Sequence, residues 1–309
     1  MRSKITVVGA GKVGATIAQQ LAQRDYADLV LVDVQEGLPQ GKALDLQQAG
    51  AVSRYDTILT GANDYQDTGG SDVVVMTSGL PRKPDMSRED LLEANREIVG
   101  DVCRQVAERS PDTVVIVVTN PLDAMCHVAL EATGFPRQRV IGMAGILDSA
   151  RLRTFLAREL GVSTAEVSGL VLGGHGDTMV PVLSSAHVAG APVRSLIAAE
   201  RLEEIVQRTR DGGAEVVELL GSGSAFYAPA AAVVEMVDAI LLDRKRLLAC
   251  TALCQGEYRI DNLFVGVPVK LGKGGVEEIV EIELGDDERE QLRRSADSVR
   301  QVVEALAGV

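Results

Sequence analysis

The sequence lacks tryptophan, and only 3% of its 309 residues are aromatic. Little aromatic surface is therefore available for stacking on nucleic-acid bases or on sugars. An excess of positive charge is absent as well: 44 acidic residues outnumber 31 lysines and arginines, which gives a formal net charge of −13 at pH 7. A chain with this charge is not expected to bind nucleic acid or an anionic membrane surface.

Cysteine and long apolar runs are also scarce. The four cysteines are scattered, which argues against a secreted disulfide framework. Cys250 and Cys254, expected one helical turn apart, have no second pair of ligand residues nearby, so we expect no metal site. No run approaches the roughly 18 apolar residues that a membrane span needs, and the apolar run after Arg2 and Lys4 lacks a small-residue cleavage site. We therefore expect a soluble, cytoplasmic protein.

The first half of the chain alternates short apolar runs with helical patterns. Near-continuous apolar runs are typical of parallel strands buried on both faces. We expect strands at 4–8, 29–33, 57–60, 72–77, 113–118 and 139–142, and helices at 12–24, 37–49, 88–109 and 122–133. This alternation predicts an α/β fold, a Rossmann-type doubly wound parallel sheet, over residues 1–145.

The pattern changes from Ile146 onwards, where we expect a C-terminal α+β substrate domain over residues 146–309. Its expected helices are 148–160, 195–211, 213–220, 225–243 and 286–306. A strand is expected at 167–172, and a hairpin over 263–284 that turns at 272–275.

A glycine-rich segment follows the first expected strand and opens the first helix, which is the context in which the G-x-G-x-x-G spacing binds a dinucleotide. Its residues are Gly9, Ala10, Gly11, Lys12, Val13 and Gly14. Gly9 permits a tight turn, Gly11 lets the backbone approach a pyrophosphate, and Gly14 allows close packing of helix on strand. Asp33 ends the second strand, where a carboxylate accepts hydrogen bonds from ribose and repels a 2′-phosphate. The alternative for Asp33 is a strand-end turn residue. We predict NAD rather than NADP as the cofactor.

A histidine between glycines is the second notable feature. His175, one of only three histidines, lies in the run GGHGD at 173–177. Histidine has an unperturbed pKa near neutrality and can give or take a proton at working pH. Taken alone, the run is equally compatible with a tight turn that carries a solvated histidine. A dinucleotide site and a proton carrier in one chain, however, indicate hydride transfer.

Three arginines are candidates for binding an anionic substrate. Arg82 and Arg88 lie in a segment rich in proline and glycine just after the fourth expected strand, at the edge where ligands bind in such sheets. Arg151 lies three residues after Asp148 on the first helix of the second domain. The planar guanidinium suits bidentate binding of a carboxylate. The alternative for Arg82 and Arg88 is a charged, solvated loop tip.

Together these motifs resemble the lactate/malate dehydrogenase family over essentially the full chain. The run GAGKVG at 9–14, TNP at 119–121, GILDSAR at 145–151 and GGHGD at 173–177 occur in the order and spacing of that family. The segments LPRKP at 80–84 and SAFYAP at 224–229 are most similar to the lactate-dehydrogenase-like malate dehydrogenases of bacteria.

The resemblance implies a role for each candidate in the substrate site. His175 matches the catalytic proton donor and acceptor, and Asp148 matches the carboxylate that orients it. Arg151 matches the residue that clamps the C1 carboxylate of the substrate, and Arg88 matches the arginine that polarises the reacting carbonyl. Arg82 matches the residue that binds the second carboxylate, where lactate enzymes typically carry glutamine.

The remaining implied contacts concern the cofactor. Asn120 matches a residue that contacts both substrate and nicotinamide, and the resemblance places Val118, Thr119 and Asn95 at the cofactor site. Asp85 departs from the family pattern, which commonly has glycine there, and we expect it to weaken capture of a dianion. The other two histidines, His127 and His187, are expected to be structural.

The resemblance therefore implies reversible, NAD-dependent oxidation of malate to oxaloacetate, a reaction of the tricarboxylic acid cycle. It also implies a homo-oligomer, and tetramers are common in this branch. A lactate dehydrogenase or other 2-hydroxy acid dehydrogenase is the first alternative, because it would share the catalytic residues except Arg82. A catalytically silent NAD-binding redox sensor is the second alternative, although it would not need the intact proton relay.

Overall fold

The computed structural model describes residues 2–81 and 87–307. The chain divides into two compact units. The first contains Met1–Met143, Phe226–Arg246 and Leu271–Glu277, and the second contains Ala144–Ala225, Leu247–Lys270 and Glu278–Val309. The first domain expected from the sequence covers residues 1–145 only. The two later segments of the first unit lie in the range that the sequence analysis assigned to the second domain. Within the described ranges, no helix is long and apolar enough to cross a membrane.

The helices are α1 (Lys12–Ala22), α2 (Leu38–Ser53), α3 (Arg88–Arg109), α4 (Leu122–Thr133), α5 (Ala144–Leu160), α6 (Val193–Leu196), α7 (Ala199–Leu220), α8 (Tyr227–Leu241) and α9 (Asp286–Ala307). The strands are β1 (Ser3–Val8), β2 (Ala27–Val32), β3 (Leu59–Ala62), β4 (Val73–Met76), β5 (Val114–Val117), β6 (Val140–Gly142), β7 (Val167–Leu172), β8 (Val180–Val188), β9 (Ala191–Pro192), β10 (Arg246–Gln255), β11 (Asp261–Gly272) and β12 (Gly275–Ile279).

The first unit is built on six parallel strands in the order β3-β2-β1-β4-β5-β6. This is the strand order of a Rossmann dinucleotide-binding fold, so the predicted doubly wound sheet is confirmed. All residues of β4 and β5 are buried, as in parallel sheets that are covered on both faces.

The carboxyl ends of the central strands lie in register. Val8 pairs with Val32 and with Met76, and Met76 pairs with Val117. In open α/β sheets, ligands bind at this edge, where the strand order reverses, here between β1 and β4. The residues that come directly after the four paired residues are Gly9, Asp33, Thr77 and Val118.

The second unit combines helices with the antiparallel sheet β7-β8-β9, which confirms the predicted α+β fold of the C-terminal half. Leu152 and Leu156 of α5 share one buried core with Val171 of β7 and Ile205 of α7. The segment that joins β7 to β8 carries His175.

The predicted break in one helix and the predicted start of another are wrong. At both places a glycine leaves room for a neighbouring group. The predicted break at 212 does not occur, and α7 continues to Leu220. A Cβ atom at Gly212 would lie 3.1 Å from Cδ of Arg151, so this glycine gives room to a neighbour and does not end the helix. The helix α5 begins at Ala144 and not at 148. A Cβ atom at Gly145 would lie 2.7 Å from the carbonyl oxygen of Ala249, so the first turn lies directly against β10.

The strands β8, β9 and β10 were not predicted. A proline at position 181 obscured β8, since proline is uncommon within strands. The run RLLACTALCQ of β10 is buried over seven consecutive residues, which does not distinguish strand from helix. The helical spacing expected for Cys250 and Cys254 was therefore wrong: both lie on β10, about 13 Å apart at the usual rise of a strand. The hairpin turn after Gly272 is confirmed, and β12 ends at Ile279.

Candidate active site

The glycine turn after β1 is shaped by close packing at its two ends and is open in its middle. Gly9 has a φ of +104°, and a Cβ atom there would lie 2.6 Å from Oγ1 of Thr77. A Cβ atom at Gly14 would collide with the carbonyl oxygen of Gly9. At Gly11, by contrast, no described atom lies within 4 Å of the added Cβ. The helix α1 begins here with no side-chain cap and no acidic residue in its first turn. Its amide groups and positive dipole end therefore suit a phosphate, and the turn fits a dinucleotide.

Asp33 is fixed to this turn by hydrogen bonds. Its Oδ2 accepts from the Ala10 amide at 2.7 Å, and its Oδ1 accepts from the Gln35 amide at 3.0 Å. The side-chain Nδ2 of Asn63 donates to the backbone carbonyl oxygens of Asp33 and Gln35, at 2.7 and 3.0 Å. The Lys42 ammonium donates to the carbonyl oxygen of Ala10. The carboxylate is therefore held at the end of β2 and beside the glycine turn before any cofactor binds.

Asn95 connects two further segments at the same edge of the sheet. Its side chain is only 1% exposed. Its Oδ1 accepts from the Leu80 amide at 2.7 Å, and its Nδ2 donates to the carbonyl oxygens of Leu80 and Asn120, at 3.2 and 2.7 Å. The Thr119 hydroxyl donates to the Ser78 carbonyl oxygen at 2.6 Å. Asn95 thus holds the backbone of Asn120. Asn120 itself is exposed, and Val118 is half-buried.

In the second unit, one buried carboxylate joins the candidate proton carrier to a candidate substrate-binding arginine. Asp148 and Arg151 lie on one face of α5, and Oδ1 of Asp148 accepts from Nη1 of Arg151 at 2.9 Å. Its Oδ2 lies 2.8 Å from Nδ1 of His175. The Asp148 side chain is 2% exposed, against 16% for His175 and 15% for Arg151. A carboxylate at this distance from Nδ1 fixes the orientation of the ring. The geometry can therefore hold one proton on the ring while the other ring nitrogen exchanges a proton.

The side chain of Arg151 lies along a glycine pair in α7. A Cβ atom would lie 3.1 Å from Cδ of Arg151 at Gly212, and 3.5 Å from Nη2 at Gly213. Two successive glycines are unfavourable in a helix interior, and here they leave space for the guanidinium. The glycine pair was interpreted from the sequence as a helix break, and its contact with Arg151 was missed.

The loop that carries His175 is held by two segments that the sequence did not connect with it. Gly173 and Gly266 exchange backbone hydrogen bonds of 2.8 and 3.0 Å. The Gly174 amide donates to Oγ of Ser295 at 2.8 Å. Both partners are more than 90 residues further along the chain, and neither belongs to a short motif, so no local signal could have identified them.

Three residues singled out in the sequence fall partly or wholly outside the described structure. Arg82 and the unusual Asp85 lie outside the described residues. Arg88 is the first residue of α3, and a capping box at Ser87 and Asp90, with bonds of 3.0 and 3.2 Å, fixes this start. The Arg88 side chain is not described.

The two remaining histidines lie in regular elements. His187 is on β8, and its Nδ1 lies 2.8 Å from the Ser185 carbonyl oxygen. His127 lies in the middle of α4 and is half-buried.

Comparison with known proteins places this geometry in context. Residues 3–142 match the NAD-binding domain model of lactate/malate dehydrogenase, and residues 146–307 match the alpha/beta C-terminal domain model. The chain is 61% identical over 306 residues to a malate dehydrogenase of Thermomicrobium roseum, covering 99% of both chains. The crystal structure of malate dehydrogenase from Cryptosporidium parvum is 46% identical, covers 100% of both chains and superposes with a TM-score of 0.97. A lactate dehydrogenase of the same organism, complexed with lactic acid and NAD, is 41% identical, covers 100% of this chain and 99% of its own, and has a TM-score of 0.97.

Proposed function

The chain belongs to the lactate/malate dehydrogenase family, and we propose that it catalyses the reversible, NAD-dependent oxidation of malate to oxaloacetate. The observation that carries this proposal is the Asp148 carboxylate, which is buried and in contact with both His175 and Arg151. Full-length relatives at 50–61% identity are malate dehydrogenases, which favours a dicarboxylate over lactate as the substrate.

His175 acts as the acid–base group in this mechanism. Asp148 holds the Nδ1 side of the ring, so the proton that is transferred is carried at Nε2. In the reductive direction Nε2 donates this proton to the oxygen that forms at C2 of the substrate, and in the oxidative direction it removes the hydroxyl proton of malate. Such a positioned group contributes roughly 10²–10⁴-fold to a rate. Arg151 binds the C1 carboxylate through its guanidinium, which the glycine pair of α7 accommodates.

The cofactor site lies at the carboxyl ends of the strands of the first unit. The pyrophosphate is held by the turn from Gly9 to Gly14 and by the amino end of α1, which includes Lys12 and Val13. Asp33 binds the adenosine ribose. Residues 118–120 contact the nicotinamide end, with Asn95 supporting the Asn120 backbone. At this site NAD would supply the hydride acceptor for C2 of malate, and NADH the hydride donor for oxaloacetate.

Selection between malate and lactate is assigned to Arg82, which binds the second carboxylate, while Arg88 polarises the reacting carbonyl. Burying a second carboxylate without a counter-charge would be costly, whereas pyruvate has a methyl group there and would leave Arg82 unpaired. A lactate dehydrogenase is the competing function, since a lactate enzyme is also a close structural relative.

Steady-state rates of NADH oxidation with oxaloacetate and with pyruvate test this assignment. Arg82→Gln should lower kcat/KM for oxaloacetate by about 10²-fold, because a charged hydrogen bond contributes roughly 1.5–3 kcal/mol, and it should raise the use of pyruvate. Lys83→Gln removes the same charge from the neighbouring position and serves as the control. An unchanged ratio of the two substrates in Arg82→Gln, or an equal effect of the control, would remove the support for malate. Wild-type preference for pyruvate would support the lactate alternative, and no activity with any 2-oxo acid would revive the redox-sensor alternative.

We also propose that the chain forms a homo-oligomer, a tetramer, in the cytoplasm and acts in the tricarboxylic acid cycle. Light scattering coupled to size-exclusion chromatography gives the subunit number.

A further inference from the structure

One hydroxyl group on the last helix bonds on both sides of His175. Ser295 of α9 is 1% exposed. Its Oγ accepts from the Gly174 amide at 2.8 Å, and the hydroxyl donates to Oγ1 of Thr178 at 3.2 Å. A single side chain therefore connects the residue before His175 with the loop three residues after it. Both hydrogen bonds lie within the second unit.

Besides these hydrogen bonds, Ser295 is in close van der Waals contact with Gly173. Gly173 has a φ of +84°, and a Cβ atom there would lie 2.6 Å from Oγ and 3.1 Å from Cβ of Ser295. The helix thus packs directly on the backbone of the loop. On its other side, the same glycine is bonded to Gly266 of β11. The backbone that leads into His175 is therefore fixed by β11 at Gly173 and by α9 at Gly174.

The position of α9 is itself set by a buried acid. Glu288 lies two turns before Ser295 on the same face of the helix and is 5% exposed. Its carboxylate accepts from the amide and hydroxyl of Ser184 on β8 and from the Gly285 amide. These bonds attach α9 to β8, the strand that follows the His175 loop in the chain.

We propose that Ser295 is a positioning residue for His175. Asp148 fixes the ring from the Nδ1 side, and Ser295 fixes the backbone from which the side chain projects. If the hydroxyl is removed, the Gly174 amide loses its acceptor and the loop relaxes, so the imidazole no longer has one orientation. The consequence for catalysis rests on the proposed function; the consequence for the geometry of His175 does not.

The test compares Ser295→Ala with a matched control, Ser110→Ala. Ser110 is also buried, at 2% exposure. Its Oγ likewise accepts from a backbone amide distant in sequence, that of Ser71 at 3.1 Å, and the hydroxyl donates to the Thr68 carbonyl oxygen at 2.8 Å. Ser110 belongs to the first unit, whereas His175 belongs to the second. Both substitutions should lower Tm by a few degrees, since each leaves a buried amide without its acceptor.

The readout specific to positioning is the NMR signal of the His175 ring. The chain has three histidines, and a His175→Asn variant assigns the signal. Ser295→Ala should shift or broaden the His175 ring signal and lower kcat with oxaloacetate by about tenfold, a part of what an oriented acid–base group contributes. The dissociation constant for NADH, measured by fluorescence, should change less than about twofold. Ser110→Ala should leave the ring signal and kcat unchanged.

Thr178→Val provides a second, milder variant at an exposed position, and it should shift the same signal by less. The inference is overturned if the His175 signal is the same in wild type, Ser295→Ala and Thr178→Val, or if Ser110→Ala has an equal effect. A wild-type protein that does not oxidise NADH with oxaloacetate would refute the proposed function, while the ring signal would still decide the role of Ser295.

Discussion

Replacing Asp148 with asparagine tests the centre of the proposed mechanism. The substitution keeps the size of the side chain and removes the charge that lies between His175, at 2.8 Å, and Arg151, at 2.9 Å. The amide still bonds to the ring, but it no longer stabilises an imidazolium. Reduction of oxaloacetate requires the protonated ring, whereas oxidation of malate requires the neutral ring. Because no substitution changes the equilibrium constant of the reaction, kcat/KM should fall by the same factor in both directions at unchanged cofactor affinity.

The magnitude follows from the hydrogen bond between the carboxylate and the ring. A hydrogen bond to a charged group contributes about 1.5–3 kcal/mol, and a tenfold change in rate corresponds to about 1.36 kcal/mol. The kcat/KM for oxaloacetate reduction should therefore fall by about 10- to 150-fold near neutral pH. The rate should also begin to decline at a lower pH than in wild type, because less of the ring is protonated at a given pH. Arg151 also loses its carboxylate partner in this variant, which should raise KM for oxaloacetate.

The assay is kcat/KM for NADH oxidation and for malate oxidation between pH 5 and 9, with Asp238→Asn as the control. Asp238 is a second buried carboxylate, 5% exposed. It accepts from the Tyr26 hydroxyl at 2.6 Å and pairs with Arg24 at 3.2 Å. Within the described residues, its hydrogen-bond and ion-pair partners include no proposed site residue. The control should lose stability and keep the wild-type pH profile. If the pH profiles of Asp148→Asn and wild type superimpose, His175 does not depend on this carboxylate and the proton relay is wrong.

Two further predictions concern the cofactor and the stability at low pH. Asp33→Ser should narrow the preference for NADH over NADPH by at least about tenfold in kcat/KM, since it removes one charged hydrogen bond; equal use of both cofactors by wild type would show that Asp33 does not bind the ribose. Burial raises the pKa of Glu288, but hydrogen bonds from Ser184 and Gly285 and the charge of Arg194 outweigh burial, so its pKa lies below the usual value. The ionised carboxylate therefore stabilises the fold above about pH 4.5, and this stabilisation is lost as the pH falls through the lowered pKa. Thermal unfolding between pH 7 and 3 should accordingly show Glu288→Gln less stable than wild type at pH 7, with the gap closing in acid; a gap independent of pH would contradict this.

The cofactor side of the site could be predicted from sequence because its residues follow directly after strands. Continuous apolar runs locate the strands, and parallel pairing brings the residues that follow them to one edge. Placing Gly9, Asp33 and Val118 at this edge therefore needed no information on distant contacts. The pair Asp148 and Arg151 was equally accessible, since a spacing of three residues places both side chains on one face of a helix.

The contacts that orient these residues could not be predicted in the same way. Gly212 resembles a helix break, and only the Arg151 side chain beside it explains its presence. Asn95 was expected near the cofactor site, but its hydrogen bonds with the backbone of Leu80 and Asn120 were not foreseen. Each of these contacts joins segments that lie far apart in the chain, and one serine or asparagine in a helix carries no pattern of its own.

In the second unit, the residues proposed to act on the substrate and the residues that position them lie in different parts of the chain. The groups proposed to act on the substrate lie in two short segments, at 148–151 and 173–177, whereas β11 and α9, which hold the histidine loop, begin more than 80 residues later. The backbone of this loop includes glycines and cannot fix a side chain unaided, because glycine permits many conformations. Partners outside the loop therefore contribute to the orientation of His175: Gly266 and Ser295 bond to the backbone that precedes it, and Asp148 bonds to its ring. Substitutions in α9 that leave the buried core intact are consequently expected to change turnover before they change cofactor binding, since the glycine turn and Asp33 belong to the other unit.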